Sequence, residues 1–269
     1  TFFTRNWNLI LIYAVLGTVI NVITTGLSVY VFDRVGLYRT RFSFLECLSF
    51  GAMTSAVDSA AVLSLFDEIG VHEMMYMLAI GESVFNDSVA IEFYSVLRRM
   101  IDSGVSRSPV MNLIISMGQL TYACSIELLI GFFVGLFGSI TTRFTVQIPL
   151  FEPLIVLLFC FTAYSLGATS TNGGVISLLI CAIFMNRYVE CNVSKKSHNV
   201  LKYCLKIMGS IAEDLIFTFM GIYIILHSHV WDIGFICMTL ISIFLLRFIV
   251  TFLVSLVHYL ITRTMSTST

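Results

Sequence analysis

Residues 81–90 read Gly-Glu-Ser-Val-Phe-Asn-Asp-Ser-Val-Ala, which sets two carboxylates and an amide inside a long apolar stretch. Kept out of water, a carboxylate holds a proton or a cation, because the bare anion is costly there. On a helix, successive residues turn by about 100°, so positions four apart share a face. Ser83 therefore lies on one face with Asp87, and Glu82 on another with Asn86. Glu82 and Asp87, five apart, diverge by about 140° and are not two halves of one carboxylate pair. One acid is left to face a site while the other meets a partner elsewhere.

The elements that must position these groups follow from composition. Of 269 residues, 58% are hydrophobic and only 12% charged, with a mean hydropathy of +0.94. That leaves too little polar surface to coat a water-soluble globule, so the bilayer is the natural solvent. About eight apolar segments can cross it: Trp7–Phe32, Phe44–Phe66, Met74–Leu97, Val110–Ile140, Leu150–Leu166, Val175–Met185, Ile207–His227 and Val230–Ile261. None alternates apolar and polar residues in the manner of a barrel strand. The expected fold is an all-α, polytopic transmembrane helical bundle. Its connections are short except for a polar, basic loop from Asn186 to Lys206. No linker or second soluble domain appears, so residues 1–269 read as one membrane domain. With no initiator Met, no signal-peptide pattern and no long hydrophilic tail, the chain reads as a fragment of something larger or as a truncated product.

Lys and Arg on alternate sides divide eight against six, placing the Asn186–Lys206 loop in the cytoplasm. The sequon Asn192-Val193-Ser194 then stays unmodified. The seven cysteines have neither metal-ligand nor disulfide-framework spacing and read as small buried hydrophobes. His72, His198, His227, His229 and His258 fall in loops or at span ends.

Ionisable residues inside the spans carry the functional information, since each costs about 2.5–3.5 kcal/mol at mid-membrane even on a lenient scale. They are Asp58, Glu82, Asp87, Glu127, Glu213, Asp214 and Arg247. Glu127 ranks lowest, because Val110–Ile140 is long enough to shift along the membrane normal. Arg247 sits near the middle of its segment and needs a carboxylate partner; Glu82 and Glu213 are the leading candidates. Asp58 stands in Gly-Ala-Met-Thr-Ser-Ala-Val-Asp-Ser-Ala-Ala (51–61). Small residues there allow close helix approach, and also suit a helix that unwinds at mid-depth to offer carbonyls to a cation.

The runs SAVDSAAVLSLFDEIGVHE (55–73) and GESVFNDSVAIEFY (81–94) resemble the sodium/proton exchangers of the cation–proton antiporter superfamily. In that family an Asp-Pro-Val-Ala-Val-Leu run in one broken helix is followed by Gly-Glu-Ser-x-x-Asn-Asp in the next. The resemblance continues through RYVECNVSKKSHNVLKYCLKIMGSIAEDLIFTFMGI (187–222) and the Arg247 helix, nearly the whole chain. It implies discontinuous helices and a partial antiporter fold. Asp87 matches the acid that binds a cation or a proton in turn. Asn86 matches the amide associated with electroneutral exchange, and Ser83, Asp58 and the main-chain carbonyl of Val57 match groups around the cation. Glu82 and Arg247 match an ion pair, and Glu213 a membrane acid of structural or regulatory role. The implied activity is electroneutral sodium (or potassium)/proton antiport for pH and cation homeostasis, by a secondary active transporter rather than an enzyme. The expected partners are an alkali cation, a proton, membrane lipid and a second copy in a homodimer, with no cofactor, no metal beyond the transported ion and no nucleic acid. The expected location is the plasma membrane or an endomembrane.

Two departures qualify this. The family's Asp-Pro is Asp58-Ser59 here, which removes the proline that helps hold the helix break. The family's second broken helix falls beyond the chain, so the chain reads as an incomplete fragment. The alternative expectation is a transport-inactive, exchanger-like membrane protein that pairs or senses. An unrelated multi-span receptor predicts acids near the outer face rather than at mid-depth beside an arginine. Each residue also has a plainer role: Asp87 as a hydrogen-bond partner between helices, Ser83 bonding its own backbone, and Lys195-Lys196 as a face for solvent or lipid headgroups.

Overall fold

A computed structural model of the chain describes residues 12–56, 60–71, 73–104, 108–144, 152–192, 195–226 and 231–266. A short π-helical turn, Ile12–Leu16, runs into α1 (Gly17–Val35). There follow α2 (Phe44–Ser55), α3 (Ala60–Ile69), α4 (Glu73–Asp102), α5 (Pro109–Phe144), α6 (Glu152–Thr171), α7 (Val175–Asn192), α8 (Lys195–Leu226) and α9 (Ile233–Ser266). No strand occurs among the described residues. Among the described residues, five helical stretches are long and apolar enough to cross a membrane: Ala14–Val35, Pro109–Phe144, Glu152–Thr171, Ser197–Leu226 and Ile233–Leu253. The second apolar segment of the sequence is split between α2 and α3, and α4 carries the acids that lower its apolarity. In α7 the apolar part, Val175–Arg187, is shorter.

The expected loop from Asn186 to Lys206 is a correction. α7 continues to Asn192 and α8 starts at Lys195, so most of that stretch is helical. Polarity alone did not make it a loop, because lysine and arginine are good helix formers.

The chain divides into two compact units, Thr1–Ala123 with Asp232–Thr269, and Cys124–Trp231. In the first, α1 packs on α2, α4 and α9, and α2 packs on α4. α2 opens with a capping box: Ser43 Oγ accepts from the Glu46 amide at 3.3 Å and Glu46 Oε2 accepts from the Ser43 amide at 2.7 Å. An aromatic cluster covers the same end. Phe235 of α9 meets Tyr38 at 5.1 Å, Phe50 at 5.3 Å and Phe42 at 5.5 Å between ring centroids.

The α1–α2 crossing is close because glycines meet there. A Cβ on Gly51 would lie 2.5 Å from the Val22 carbonyl oxygen and 2.9 Å from the Gly26 nitrogen. One on Gly26 would lie 2.9 Å from Leu48 Cα. Backbone cannot give way as a side chain can, so small residues are required for packing rather than for flexibility. We therefore expect Gly51→Val to destabilise the first unit by about 3 kcal/mol or more, at the upper end of overpacking costs, seen as a lowered thermal midpoint in detergent. A midpoint equal to that of the parent sequence would show that the crossing is looser than described.

In the second unit α6 packs on α7 and α8 on α6, around Val156, Ala163, Cys181 and Met185. Gly131 of α5 sits against Ser177, where an added Cβ would lie 2.5 Å from its carbonyl oxygen. All of α8 from Leu205 to Met220 is exposed, Glu213 and Asp214 included.

Candidate functional site

The α2 helix stops where small residues follow one another. Its last helical residue is Ser55; Ala56 is extended, at φ −64° and ψ 130°. The helix resumes as α3 at Ala60. Val57 and Asp58, both expected around a cation, lie outside the described residues, as does Ser59. The last carbonyls of a helix lack helical partners, and such groups need donors from elsewhere.

Asn86 supplies one. Only 5% exposed, it donates from Nδ2 to the Ser55 carbonyl oxygen at 3.1 Å. Its Oδ1 accepts from Thr18 Oγ1 of α1 at 2.7 Å. The Thr18 hydroxyl also reaches the Ala14 carbonyl oxygen, one turn back in the π-helical entry to α1. One amide thus ties α4 to α1 and to the broken end of α2, and both of its ends are engaged by protein groups.

Thr18→Val removes the donor and leaves Asn86 Oδ1 buried. The expected loss is about 1–3 kcal/mol, the cost of an orphaned buried acceptor. Thr18→Ser should restore most of it. Equal thermal midpoints for the valine and serine variants would remove the tie from the account.

Glu82, Asn86 and Arg247 line one small cavity of about 20 Å³, together with Gly17, Thr18, Asn21, Val250 and Thr251. That is room for a single water. Arg247 is half-buried, and the acids whose charges act on it are Glu82 and Asp87. Ser83 and Asp87, also half-buried, are not among the residues lining this cavity. Of the polar groups the structure gathers here, Thr18, Asn21 and Ser55 were not singled out from the sequence. The available signal was weak: Thr18 and Asn21, three apart, stand on a helix that also carries Thr24, Thr25 and Ser28. Glu213, the other candidate for Arg247, is exposed on α8 of the second unit.

The second unit holds a different buried acid. Glu127 of α5 is fully buried. It accepts from the amides of Gly174 at 2.7 Å, Ile176 at 3.0 Å and Ser177 at 3.2 Å, and from the Thr171 hydroxyl. It thereby caps the N-terminus of α7, where an anion meets free N–H groups and the positive end of the helix dipole. The tight α6–α7 connection depends on Gly174, whose φ of 90° suits glycine. The acid ranked lowest from the sequence thus accepts from three buried amides and a hydroxyl. Glu92 and Glu152, also fully buried, were not singled out from the sequence.

Comparison with known proteins agrees with the ordered motifs. The family description "Sodium/hydrogen exchanger, transmembrane" matches residues 2–268. Sodium/hydrogen exchanger 2 of Oryctolagus cuniculus is 35% identical over 239 residues, 88% of this chain and 29% of that protein. Na(+)/H(+) exchanger beta of Oncorhynchus mykiss is 34% identical over 89% of the chain and 31% of its own length. Sodium/hydrogen exchanger 5 of Homo sapiens is 33% identical over 91% of the chain and 28% of its own length. The chain spans about three tenths of the length of these relatives. Its five long apolar helical stretches mark it as a multi-pass membrane protein, and it belongs to the transmembrane sodium/hydrogen exchanger family.

Proposed function

We propose that this chain contributes the carboxylate site of an electroneutral sodium/proton antiporter, potassium being the other candidate cation. Asp87 is the exchanging acid. It holds a proton or an alkali cation but not both, and in either state the site is neutral and can pass through an apolar bundle. A bare carboxylate is penalised by desolvation. Ser83, Asp58 and the Val57 carbonyl complete a set of hard oxygen donors, which suits a small alkali cation. Alternating access then exchanges one cation for one proton, in a secondary active transporter without cofactor, working as a homodimer.

Asn86 has a positioning role in this reading. It holds the helix that bears Asp87 against the interrupted end of α2. Glu82, which lines one cavity with Arg247, supplies the larger countercharge that keeps an arginine tolerable at mid-membrane, and Asp87 serves the ion. Glu213 is a structural or regulatory acid. The observation that supports the proposal is the bond from Asn86 Nδ2 to the Ser55 carbonyl oxygen: it holds α4, one residue from Asp87, against the interrupted end of α2, and interrupted helices can offer main-chain oxygens to ions.

The test is uptake of Na⁺ and K⁺ into proteoliposomes carrying the full-length protein that contains these residues. An imposed pH gradient should drive cation uptake, with no net current. Uptake indifferent to the pH gradient would favour the second reading, a transport-inactive relative, which the absence of the Asp-Pro proline at Ser59 supports.

A further inference from the structure

Within the first unit, α1 and α4 end where α2 and α5 begin. A cleft of about 450 Å³ opens there, lined by Arg34, Phe44, Leu45, Met100, Pro109 and Asn112, among others. Helix ends of membrane spans lie at headgroup depth, and the volume falls in the range of small-molecule sites.

Two polar side chains define what the cleft would accept. Asn112 is only 6% exposed, yet its Oδ1 has no hydrogen-bond partner among the described residues. A buried amide oxygen left this way is costly and calls for a donor. Arg34, at the rim, lies over the Tyr30 ring with 4.9 Å from guanidinium carbon to centroid. Stacking occupies the face of the guanidinium and leaves its N–H edge for an oxyanion.

The charges around the cleft favour an anionic group. Arg34, Arg39, Arg41, Arg98 and Arg99 stand at this end of the unit. The acids of the same end are already engaged or buried. Glu46 belongs to the α2 capping box. Asp102 pairs with Arg98 at 3.4 Å. Asp232 caps α9 and accepts from the Arg39 amide at 2.8 Å, the bond that chiefly holds its carboxyl below the usual carboxylate range. Asp33 is buried.

We infer that this cleft binds one membrane phospholipid whose headgroup carries an N–H or O–H donor. The phosphate meets Arg34, the headgroup donor meets Asn112 Oδ1, and the glycerol end lies against Phe44, Leu45 and Met100. An ethanolamine or glycerol head satisfies both polar groups. A choline head offers the same phosphate but no N–H or O–H, so it leaves Asn112 unsatisfied. Free phosphate lacks the apolar part.

The experiment is native mass spectrometry of the full-length protein titrated with phosphatidylethanolamine, phosphatidylglycerol, phosphatidylcholine and inorganic phosphate. The expected result is at least tenfold tighter retention of the first two lipids over phosphatidylcholine, with no competition from phosphate. Asn112→Leu, which removes an unsatisfied acceptor and so does not depend on a fragile fold, should abolish that preference. Arg34→Gln should weaken all three lipids several-fold. Equal retention of the choline lipid, a preference that survives Asn112→Leu, or displacement by free phosphate each overturns the inference.

Discussion

Asp87→Asn is expected to reduce cation–proton exchange to the level of empty vesicles, a loss of at least about 100-fold. In the proposed mechanism this carboxylate supplies both the negative charge that holds the cation and the group that takes up the proton. An amide of nearly the same shape supplies neither. The loss should be one of chemistry rather than of folding, because Asp87 is half-buried and an amide has nearly the same shape as the carboxylate it replaces. The thermal midpoint should therefore stay close to that of the parent sequence, within about 1 kcal/mol, the range of a mild substitution. Sodium-driven recovery of internal pH in vesicles reads the first effect and unfolding in detergent reads the second. Retained exchange would move the site away from Asp87. Lost exchange accompanied by unfolding would make Asp87 a structural acid.

The largest stability effect is expected at Glu127. Replacement by alanine leaves the Gly174, Ile176 and Ser177 amides and the Thr171 hydroxyl without the carboxylate they share. All four contacts are buried, so water does not readily take its place. Removing one side of a buried, charge-assisted arrangement typically costs about 3–5 kcal/mol. Glu127→Gln should fall between, because one oxygen survives while an NH₂ now faces backbone donors. Hydrogen exchange localises the effect: protection at Ile176 and Ser177 should drop in the alanine variant before the first unit responds. Unchanged protection at those amides would show that α7 starts without help from Glu127.

These two acids also show what the sequence could and could not reveal. The family was legible because the motifs around Asp87 are local. The helix face of Asp87 follows from spacing alone, and the order of motifs around it is specific to one family. The break in the second apolar segment was legible for a similar reason, as a run of small residues around an acid. Glu127 was not, because its partners lie 44 to 50 positions later in the chain. Helical periodicity relates residues three or four apart and is silent about which helix end a carboxylate will meet. Thr18 was missed on the same ground: its bond to Asn86 joins residues separated by 68 positions. The Asn186–Lys206 stretch failed differently. Polarity was read as loop, although lysine, arginine and glutamate are good helix formers and a polar stretch can be helical.

Competition at one carboxylate is tested most directly by sodium binding to the purified full-length protein over a range of pH. If proton and cation exclude each other, the apparent sodium affinity weakens about tenfold for each unit of pH once the site is protonated, about 1.4 kcal/mol per unit. Asp87→Asn removes both the binding and its slope. A sodium affinity that stays constant across that range contradicts the account.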